Sequence, residues 1–225
     1  LEKAVAIKPD YPDAYFNLGN TFQKLRQLDA AVKSFKKAIA IKQDYVEAHY
    51  SLGTTYQELG QLDDAVKSYQ KVLQLKPEFT AMHNNLAVIL QELGKFNTAV
   101  EHLEKAVAIK PDFAEAHNNL GNVLKELDQQ DAALKSYEKA IAIKPDFAEA
   151  HNNLGNVLKN LEQLDAAVKS FKKAIAIKPD YFDAHFNLGD ILRVLGQLDI
   201  SVKSYEKARA IKPDHVGANN NLGIS

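Results

Sequence analysis

The sequence predicts an all-α fold built from stacked antiparallel helix pairs, and two observations lead to that prediction. The first is a strict internal period, because the motif KPD or a close variant recurs every 34 residues from Lys8 to Lys212. The second is the helical spacing of apolar residues, which appears twice in every period. Two helices alone cannot bury both apolar faces of such a pattern, so successive pairs are expected to stack into one elongated core.

The period divides the chain into six full repeats and two partial ones. Cutting after the aromatic residue or His that follows each motif gives 12–45, 46–79, 80–113, 114–147, 148–181 and 182–215. Residues 1–11 have the pattern of a second helix, and residues 216–225 have that of a first helix. We expect a single array over 1–225 that was excised from a longer protein, since both ends are incomplete.

The first helix of each repeat is expected to begin at the Asp of the KPD motif. In repeat 114–147, Leu120, Leu124 and Leu127 lie at i, i+4 and i+7 on one helix face. Asp is a good N-cap, and Glu115 follows Asp112 by three residues, which resembles a capping box.

The second helix should follow a tight turn. Gly60, Gly94 and Gly196 occupy this turn, where a left-handed residue is favoured. The expected N-caps of the second helices are Asp29, Asp63, Asn97, Asp131, Asp165 and Asp199. The Pro of each motif should end the second helix, because Pro cannot continue it.

Bulk composition excludes several classes of protein. The 28 Lys and Arg residues nearly balance the 29 Asp and Glu residues, so no global field would attract nucleic acid or an anionic membrane. No apolar run approaches the roughly 20 residues that cross a bilayer. The chain has no cysteine, and it contains no Gly-rich phosphate loop, nucleophile elbow or HExxH motif. We therefore expect a soluble protein that is not an enzyme and has no cofactor or metal. The sequence does not identify its compartment, although a cytoplasmic location is slightly favoured.

These residues resemble the tetratricopeptide repeat (TPR) family. With Ala114 counted as position one, the family pattern has a large residue at four, Leu at seven, Gly at eight, an aromatic at eleven, Ala at twenty, an aromatic at twenty-four, Ala at twenty-seven and Pro at thirty-two. The first repeat matches with Leu18, Gly19, Phe22, Ala31 and Phe35. Small residues at eight and twenty let the two helices cross closely, and the aromatic at twenty-four should fill the gap between repeats. The departures, such as Ala87 for Gly and Ser201 for Ala, are mild.

The resemblance implies a right-handed superhelical solenoid whose first helices line a concave wall. Family members expose positions two, five, six, nine, twelve and thirteen there. Asparagine recurs at positions five, six and nine of this sequence, for example at Asn118, Asn119 and Asn122. The superhelical repeat region of the O-linked N-acetylglucosamine transferases carries a similar asparagine column at position six, and this chain is similar to that subclass.

The asparagines lower helix propensity. Each costs up to roughly 0.7 kcal/mol relative to Ala, or about 1–2 kcal/mol for three in one helix. A side-chain amide both donates and accepts, so a column of amides can hold the backbone of an extended peptide. Neighbouring aromatic and basic residues would add selectivity. The residues predicted to line this groove are Asn17, Asn20, Asn85, Asn118, Asn119, Asn122, Asn152, Asn153, Asn156, Asn187, Asp190, Phe16, Tyr50, Phe186, Lys125, Lys159 and Arg193. The alternative is that Asn is a tolerated solvated residue copied along with the repeats.

Histidine forms a second column, at position four. It comprises His49, His83, His117, His151 and His185. Equivalent residues of stacked repeats should lie about 10 Å apart, whereas metal–nitrogen bonds are about 2 Å long. Packing at the helix interface is therefore expected rather than metal ligation, and His102 and His215 are expected to be isolated.

Two functions are compatible with this sequence. The first is a protein–protein interaction scaffold that binds an extended peptide or protein in an Asn-lined groove, with no nucleic-acid or membrane partner. The alternative is the substrate-recognition arm of a larger enzyme, such as a glycosyltransferase, whose catalytic domain is absent here. The incomplete terminal repeats also predict head-to-tail self-association between copies.

Overall fold

The computed structural model describes residues 10–223, and within this range every regular element is an α-helix. The helices are α1 (Pro12–Lys24), α2 (Leu28–Ile41), α3 (Val46–Glu58), α4 (Leu62–Leu75), α5 (Thr80–Glu92), α6 (Phe96–Ile109), α7 (Ala114–Glu126), α8 (Gln130–Ile143), α9 (Ala148–Asn160), α10 (Leu164–Ile177), α11 (Phe182–Val194), α12 (Leu198–Ile211) and α13 (Val216–Asn221). The all-α prediction of consecutive helix pairs is confirmed. The helix expected over residues 1–8 lies outside the described residues.

The chain forms two compact units, Leu1–Ile109 and Lys110–Ser225. In the described part of the first unit, helices α1 to α6 pack as three consecutive pairs. In the second unit, α7 to α12 form three more pairs and α13 packs against α12. Within each unit neighbouring first helices also meet, as α1 does with α3 and α9 does with α11.

In five of the six full repeats, the helix pair closes on a contact between the glycine at position eight and the aromatic at position twenty-four. A Cβ added to Gly155 would lie only 2.6 Å from Cε1 of Phe171, so no larger residue fits there. The equivalent pairs are Gly19 with Phe35, Gly53 with Tyr69, Gly121 with Tyr137 and Gly189 with Tyr205. Phe171 also packs in a cluster with Leu188 and Ile191 of the following pair, as expected of a residue that fills the gap between repeats.

The repeat at 80–113 has a different pair of residues at these two positions. Position eight is Ala87 and position twenty-four is Leu103, and both are completely buried. A smaller, non-aromatic side chain at position twenty-four thus accompanies the additional methyl group at position eight. The two departures from the family pattern belong together, because one makes room for the other.

The predicted helix N-caps are wrong at both helices of the repeat. The first helices begin one residue later than expected, with an aromatic at the N-cap, such as Phe147 before α9, whose side chain makes no capping hydrogen bond. The Asp lies instead in a tight turn, which is closed by a hydrogen bond from Phe147 N to Lys144 O of 3.1 Å. The Lys144 ammonium lies 4.9 Å from the centre of the Phe147 ring. This cation–π contact and the turn together fix the start of the helix.

The second helices begin earlier than expected. Gln163 is the N-cap of α10, and Asp165 is therefore the second residue of that helix. Its carboxylate lies in the first turn, where a negative charge interacts favourably with the helix dipole, but it does not cap the helix. The turn prediction holds, since Gly60, Gly94 and Gly196 have φ values of 72°, 69° and 72°. Arg26, Asp128 and Glu162 adopt the same left-handed conformation without glycine.

Candidate functional site

The asparagines of the second unit differ in burial along the first helices. At position five, Asn118 and Asn152 are buried, with exposed fractions of 2% and 4%. The partly exposed residues at positions six and nine are Asn119, Asn122, Asn153, Asn156, Asn187 and Asp190. The side chains at position five thus lie behind those that face outward.

Amide groups of neighbouring first helices hydrogen-bond to one another. Asn153 Nδ2 on α9 donates to Asn118 Oδ1 at 3.2 Å and to Asn122 Oδ1 at 3.0 Å, both on α7. Asn187 Nδ2 on α11 donates to Asn152 Oδ1 on α9 at 3.3 Å. The amide at position six therefore binds the buried amide of the preceding repeat. Part of the helix-propensity cost of these asparagines is offset within the protein by hydrogen bonds between repeats.

Tyrosines from the second helices hold the residues at position nine. Tyr137 Oη donates to Asn122 Oδ1 at 2.8 Å, and Tyr205 Oη donates to Asp190 Oδ1 at 2.7 Å. Asp190 accepts a second hydrogen bond from Asn221 Nδ2 at 3.2 Å. Burial raises the pKa of Tyr137, and burial followed by the Asp190 hydrogen bond raises the pKa of Tyr205. Both phenols therefore remain protonated donors at neutral pH.

Asn156 differs from its equivalents at position nine in the adjacent repeats. The aromatic of its repeat is Phe171, which packs against the same glycine position but has no hydroxyl to donate. Within residues 10–223, the partly exposed amide of Asn156 makes no hydrogen bond to the protein. In the second unit the sequence contains this signal, since Tyr137 and Tyr205 donate to position nine and Phe171 cannot. In the first unit, Tyr69 donates to Gln57 instead.

Basic residues at position twelve lie beside the partly exposed residues of the first helices in the second unit. Lys159 and Arg193 line a cavity of about 510 Å³ together with Asp190 and Glu162. Lys125 of the preceding repeat instead lies 3.5 Å from Glu126, its neighbour in the chain. The structure thus brings two of the three predicted basic residues to one cavity.

The predicted aromatic residues occupy two different environments. In the first unit, Phe16, Tyr50 and Phe79 line a mainly apolar cavity of about 380 Å³. In the second unit, Phe186 packs against Phe182 and His215 at ring distances of 5.9 and 5.2 Å.

Asparagine is sparser on the first helices of the first unit. Asn17 and Asn85 are exposed, and Asn20 is partly exposed. The prediction that these residues and Phe16, Tyr50 and Phe186 bind a ligand stays a prediction.

The histidines at position four bind the loops between repeats. In each, Nε2 lies 2.9–3.1 Å from the carbonyl oxygen six residues earlier, for example 3.0 Å from Pro145 O in the case of His151. A carbonyl only accepts, so Nε2 carries the proton. Position four of the last repeat is Asn219, whose Nδ2 makes the equivalent hydrogen bond to Pro213 O at 3.1 Å.

The expectation that His102 and His215 are isolated is wrong. His102 Nδ1 lies 2.9 Å from His83 Nδ1, and burial, followed by the nearby His83 and Lys105, lowers the pKa of His102 to about 4. His215 accepts a hydrogen bond from Ala218 N at 3.2 Å and caps α13. Both pairings depend on which helices meet in space, which local sequence does not indicate.

Two kinds of feature are absent from the described residues, 10–223. No helix in this range is both long enough and apolar enough to cross a membrane. No group of three or more His, Asp or Glu side chains in this range is placed to hold a metal ion.

Models of repeat families match most of the sequence. A model described as TPR repeat matches residues 1–25, 27–60, 89–128 and 121–162. Two models described as tetratricopeptide repeat match residues 46–79 and 148–181, and residues 170–203. Comparison with curated protein sequences gives no significant match.

Solved structures share the fold. A crystal structure of MamA is 30% identical and covers 72% of this chain and 95% of its own, with a TM-score of 0.67. PilF of Pseudomonas aeruginosa is 17% identical and covers 94% of this chain and 96% of its own, with a TM-score of 0.77. YrrB, described as a TPR protein with an unusual peptide-binding site, is 23% identical and covers 86% of this chain and all of its own, with a TM-score of 0.67.

Proposed function

This chain belongs to the tetratricopeptide repeat family, and from that premise we propose that it is a protein-interaction scaffold whose second unit binds an extended peptide along its first helices. The contact surface is formed by the partly exposed side chains at positions six and nine, chiefly Asn153, Asn156 and Asn187. The buried Asn118 and Asn152 contribute indirectly, because they hold the outward-facing amides in place.

The single observation that carries the proposal is the unpaired amide of Asn156. Its two N–H groups and its oxygen form no hydrogen bond to residues 10–223, although the side chain is partly buried. An extended peptide presents a backbone N–H and C=O that match an amide donor and acceptor. Each such bond contributes about 0.5–1.5 kcal/mol net.

The hydrogen bonds among the amides prepare the rest of the surface. Asn153 uses Nδ2 to bind two neighbouring amides, which leaves Oδ1 as an acceptor for a ligand N–H. Asn187 is held through Nδ2 in the same way. Because these side chains are already ordered, binding avoids the cost of about 0.5–1.5 kcal/mol for immobilising each one.

Selectivity would come from the cavities beside the amides. In the cavity that they share with Asp190 and Glu162, Lys159 and Arg193 would pair with an acidic ligand side chain, since Arg pairs well with carboxylates. In the first unit, the cavity between Phe16 and Tyr50 would accept an apolar side chain. Peptide binding occurs on this fold in YrrB, by its description. The substrate-recognition arm of a larger enzyme would use the same surface.

The experiment is a peptide-binding measurement on variants of Asn156. An array of unstructured 12-residue peptides with Asp or Glu at varied places supplies a ligand, whose affinity is measured by fluorescence anisotropy. Asn156→Ala should weaken binding by about 10-fold, from loss of two net hydrogen bonds. Its melting temperature should hold or rise, because Ala is the better helix former. The control is Glu138→Ala, on the exposed surface of the second helix α8, which should bind as well as the unmodified chain.

Two outcomes would count against the proposal. Unchanged affinity in Asn156→Ala would show that this amide does not contact the peptide. An equal loss of affinity in Glu138→Ala would show that binding is nonspecific or occurs elsewhere. Asn153→Ala is less informative, since it also removes the partner of the buried Asn118 and should lower stability.

A further inference from the structure

A pair of histidines in the first unit lies outside the surface proposed to bind peptide. His83 on α5 and His102 on α6 approach with their Nδ1 atoms 2.9 Å apart. His83 is 5% exposed and His102 is partly exposed. Both line an open cavity of about 550 Å³ with Gln70, Gln74 and Lys105. Water can therefore reach the pair from one side.

This pair occurs in one repeat. Position twenty-three is His102 in the repeat at 80–113 and Ser in the other five full repeats. Four of these hydroxyls bond to their own helix, as Ser136 Oγ does to Ala132 O at 2.9 Å. Within the described residues, none of the five serines hydrogen-bonds to a position-four histidine. Only in the repeat at 80–113 of the described residues does a second imidazole, that of His102, lie next to a position-four histidine. The other position-four histidines bind loop carbonyls.

The hydrogen bonds of His83 determine where its lone pair points. Nε2 donates to Pro77 O at 3.0 Å, since a carbonyl can only accept. In the neutral ring, Nδ1 is then an unprotonated acceptor directed at His102. A metal-binding histidine is commonly oriented by a carbonyl in this way, with the free nitrogen left for the metal.

We propose that His83 and His102 bind a divalent transition-metal ion of the class that prefers imidazole, represented by Zn²⁺ and Cu²⁺. The proton on His102 Nδ1 moves to Nε2 through water in the cavity, so both Nδ1 lone pairs face the ion and both rings stay neutral. With metal–nitrogen bonds of about 2.0–2.1 Å and tetrahedral angles, the two nitrogens would lie about 3.3 Å apart. The two nitrogens therefore have to separate by about 0.4 Å. The rings, chiefly the partly exposed His102, also have to turn, because the Nδ1 lone pairs must converge on an ion beside the line that joins the two nitrogens.

The remaining ligands of the ion are water molecules. Two protein nitrogens and the nearby Lys105 ammonium make this a weaker site than one with three or four protein ligands. We expect Cu²⁺ to bind more tightly than Zn²⁺, as the general order of metal affinities requires.

The repeats supply two matched variants. His102→Ser introduces the residue found at position twenty-three of every other full repeat. His83→Asn introduces the residue of the last repeat, where Asn219 makes the same hydrogen bond to the loop carbonyl. Both variants should keep the fold, which circular dichroism checks, and each removes one of the two ligands.

The test is isothermal titration of the chain with ZnCl₂ and with CuCl₂, followed by NMR of ¹⁵N-labelled histidine. The unmodified chain should bind one ion, with the Nδ1 signals of His83 and His102 shifted, and each variant should lose at least 10-fold in affinity. Failure of the unmodified chain to bind either ion below millimolar concentration would overturn the proposal. So would undiminished one-to-one binding in either folded variant, because the other histidines of the column would then be responsible.

Discussion

The residues at positions eight and twenty-four of one repeat can be exchanged for those of another. This exchange tests whether the contact between the two positions holds each helix pair together. In the repeat at 148–181, Gly155 packs against the fully buried Phe171. The repeat at 80–113 has Ala87 and Leu103 at the same two positions. The perturbations are Gly155→Ala, Phe171→Leu and the two together, which form a double-mutant cycle.

The expected changes in unfolding free energy follow from the distances between these side chains. The added methyl carbon would lie 2.6, 2.8 and 2.9 Å from three ring carbons of Phe171, whereas carbon atoms in contact prefer about 3.5–4.0 Å. Overpacking of this kind costs about 1–3 kcal/mol, and replacing a helical Gly by Ala returns about 1 kcal/mol. Phe171→Leu alone leaves a cavity at a cost of about 1–3 kcal/mol. In the double variant, the methyl group occupies part of that cavity.

The expected result is therefore a favourable coupling energy of about 1–3 kcal/mol between the two substitutions. It is measured by urea denaturation followed by circular dichroism, and the curves are fitted with a nearest-neighbour treatment suited to repeat arrays. Two free-energy changes that add to within about 0.5 kcal/mol would refute the reasoning. They would mean that Ala87 and Leu103 are unrelated departures.

Two further predictions concern the second and first units. Phe171→Tyr places a hydroxyl near the amide of Asn156, so it should weaken peptide binding about 3–10-fold without loss of thermal stability, and a tighter complex in the anisotropy assay would contradict this. The pKa of His102 is about 4 in the folded chain, below the ordinary histidine value of 6.5, so the unfolded chain binds more protons between these two values. Stability should be fully present above pH 6.5 and fall by about 1 kcal/mol, after allowance for solvent screening, as the pH drops towards 4. His102→Ser should flatten that part of the curve of unfolding free energy against pH, and an unchanged slope would exclude the histidine as its cause.

Much of the fold could be predicted because it depends on local patterns. The helix pairs follow from apolar spacing, and the turns at Gly60, Gly94 and Gly196 follow from the requirement for a left-handed residue. The caps could not be assigned correctly, since Asp146 is a good capping residue in general but is here part of a turn closed by Lys144 and Phe147. The geometry of the turn between the two repeats therefore determines where the helix begins, and the capping preference of Asp does not.

Less of the candidate site could be predicted from the sequence. Amides on one helix face were predictable, but the hydrogen bonds from Asn153 to Asn118 and Asn122 depend on how closely α7 and α9 approach. The pairing of His83 with His102 likewise requires knowing that positions four and twenty-three meet. Such contacts are set by packing between helices and not by the spacing of residues along one of them.

The difference between Tyr137 and Phe171 concerns one oxygen atom, buried behind the surface that would meet a partner. With that oxygen, the amide oxygen of Asn122 already accepts a hydrogen bond from the tyrosine, and without it the amide of Asn156 has no such internal donor. Interior substitutions that conserve shape can therefore alter which backbone groups an array recognises, one repeat at a time. Related arrays with identical outward-facing residues should accordingly be able to differ in their ligands.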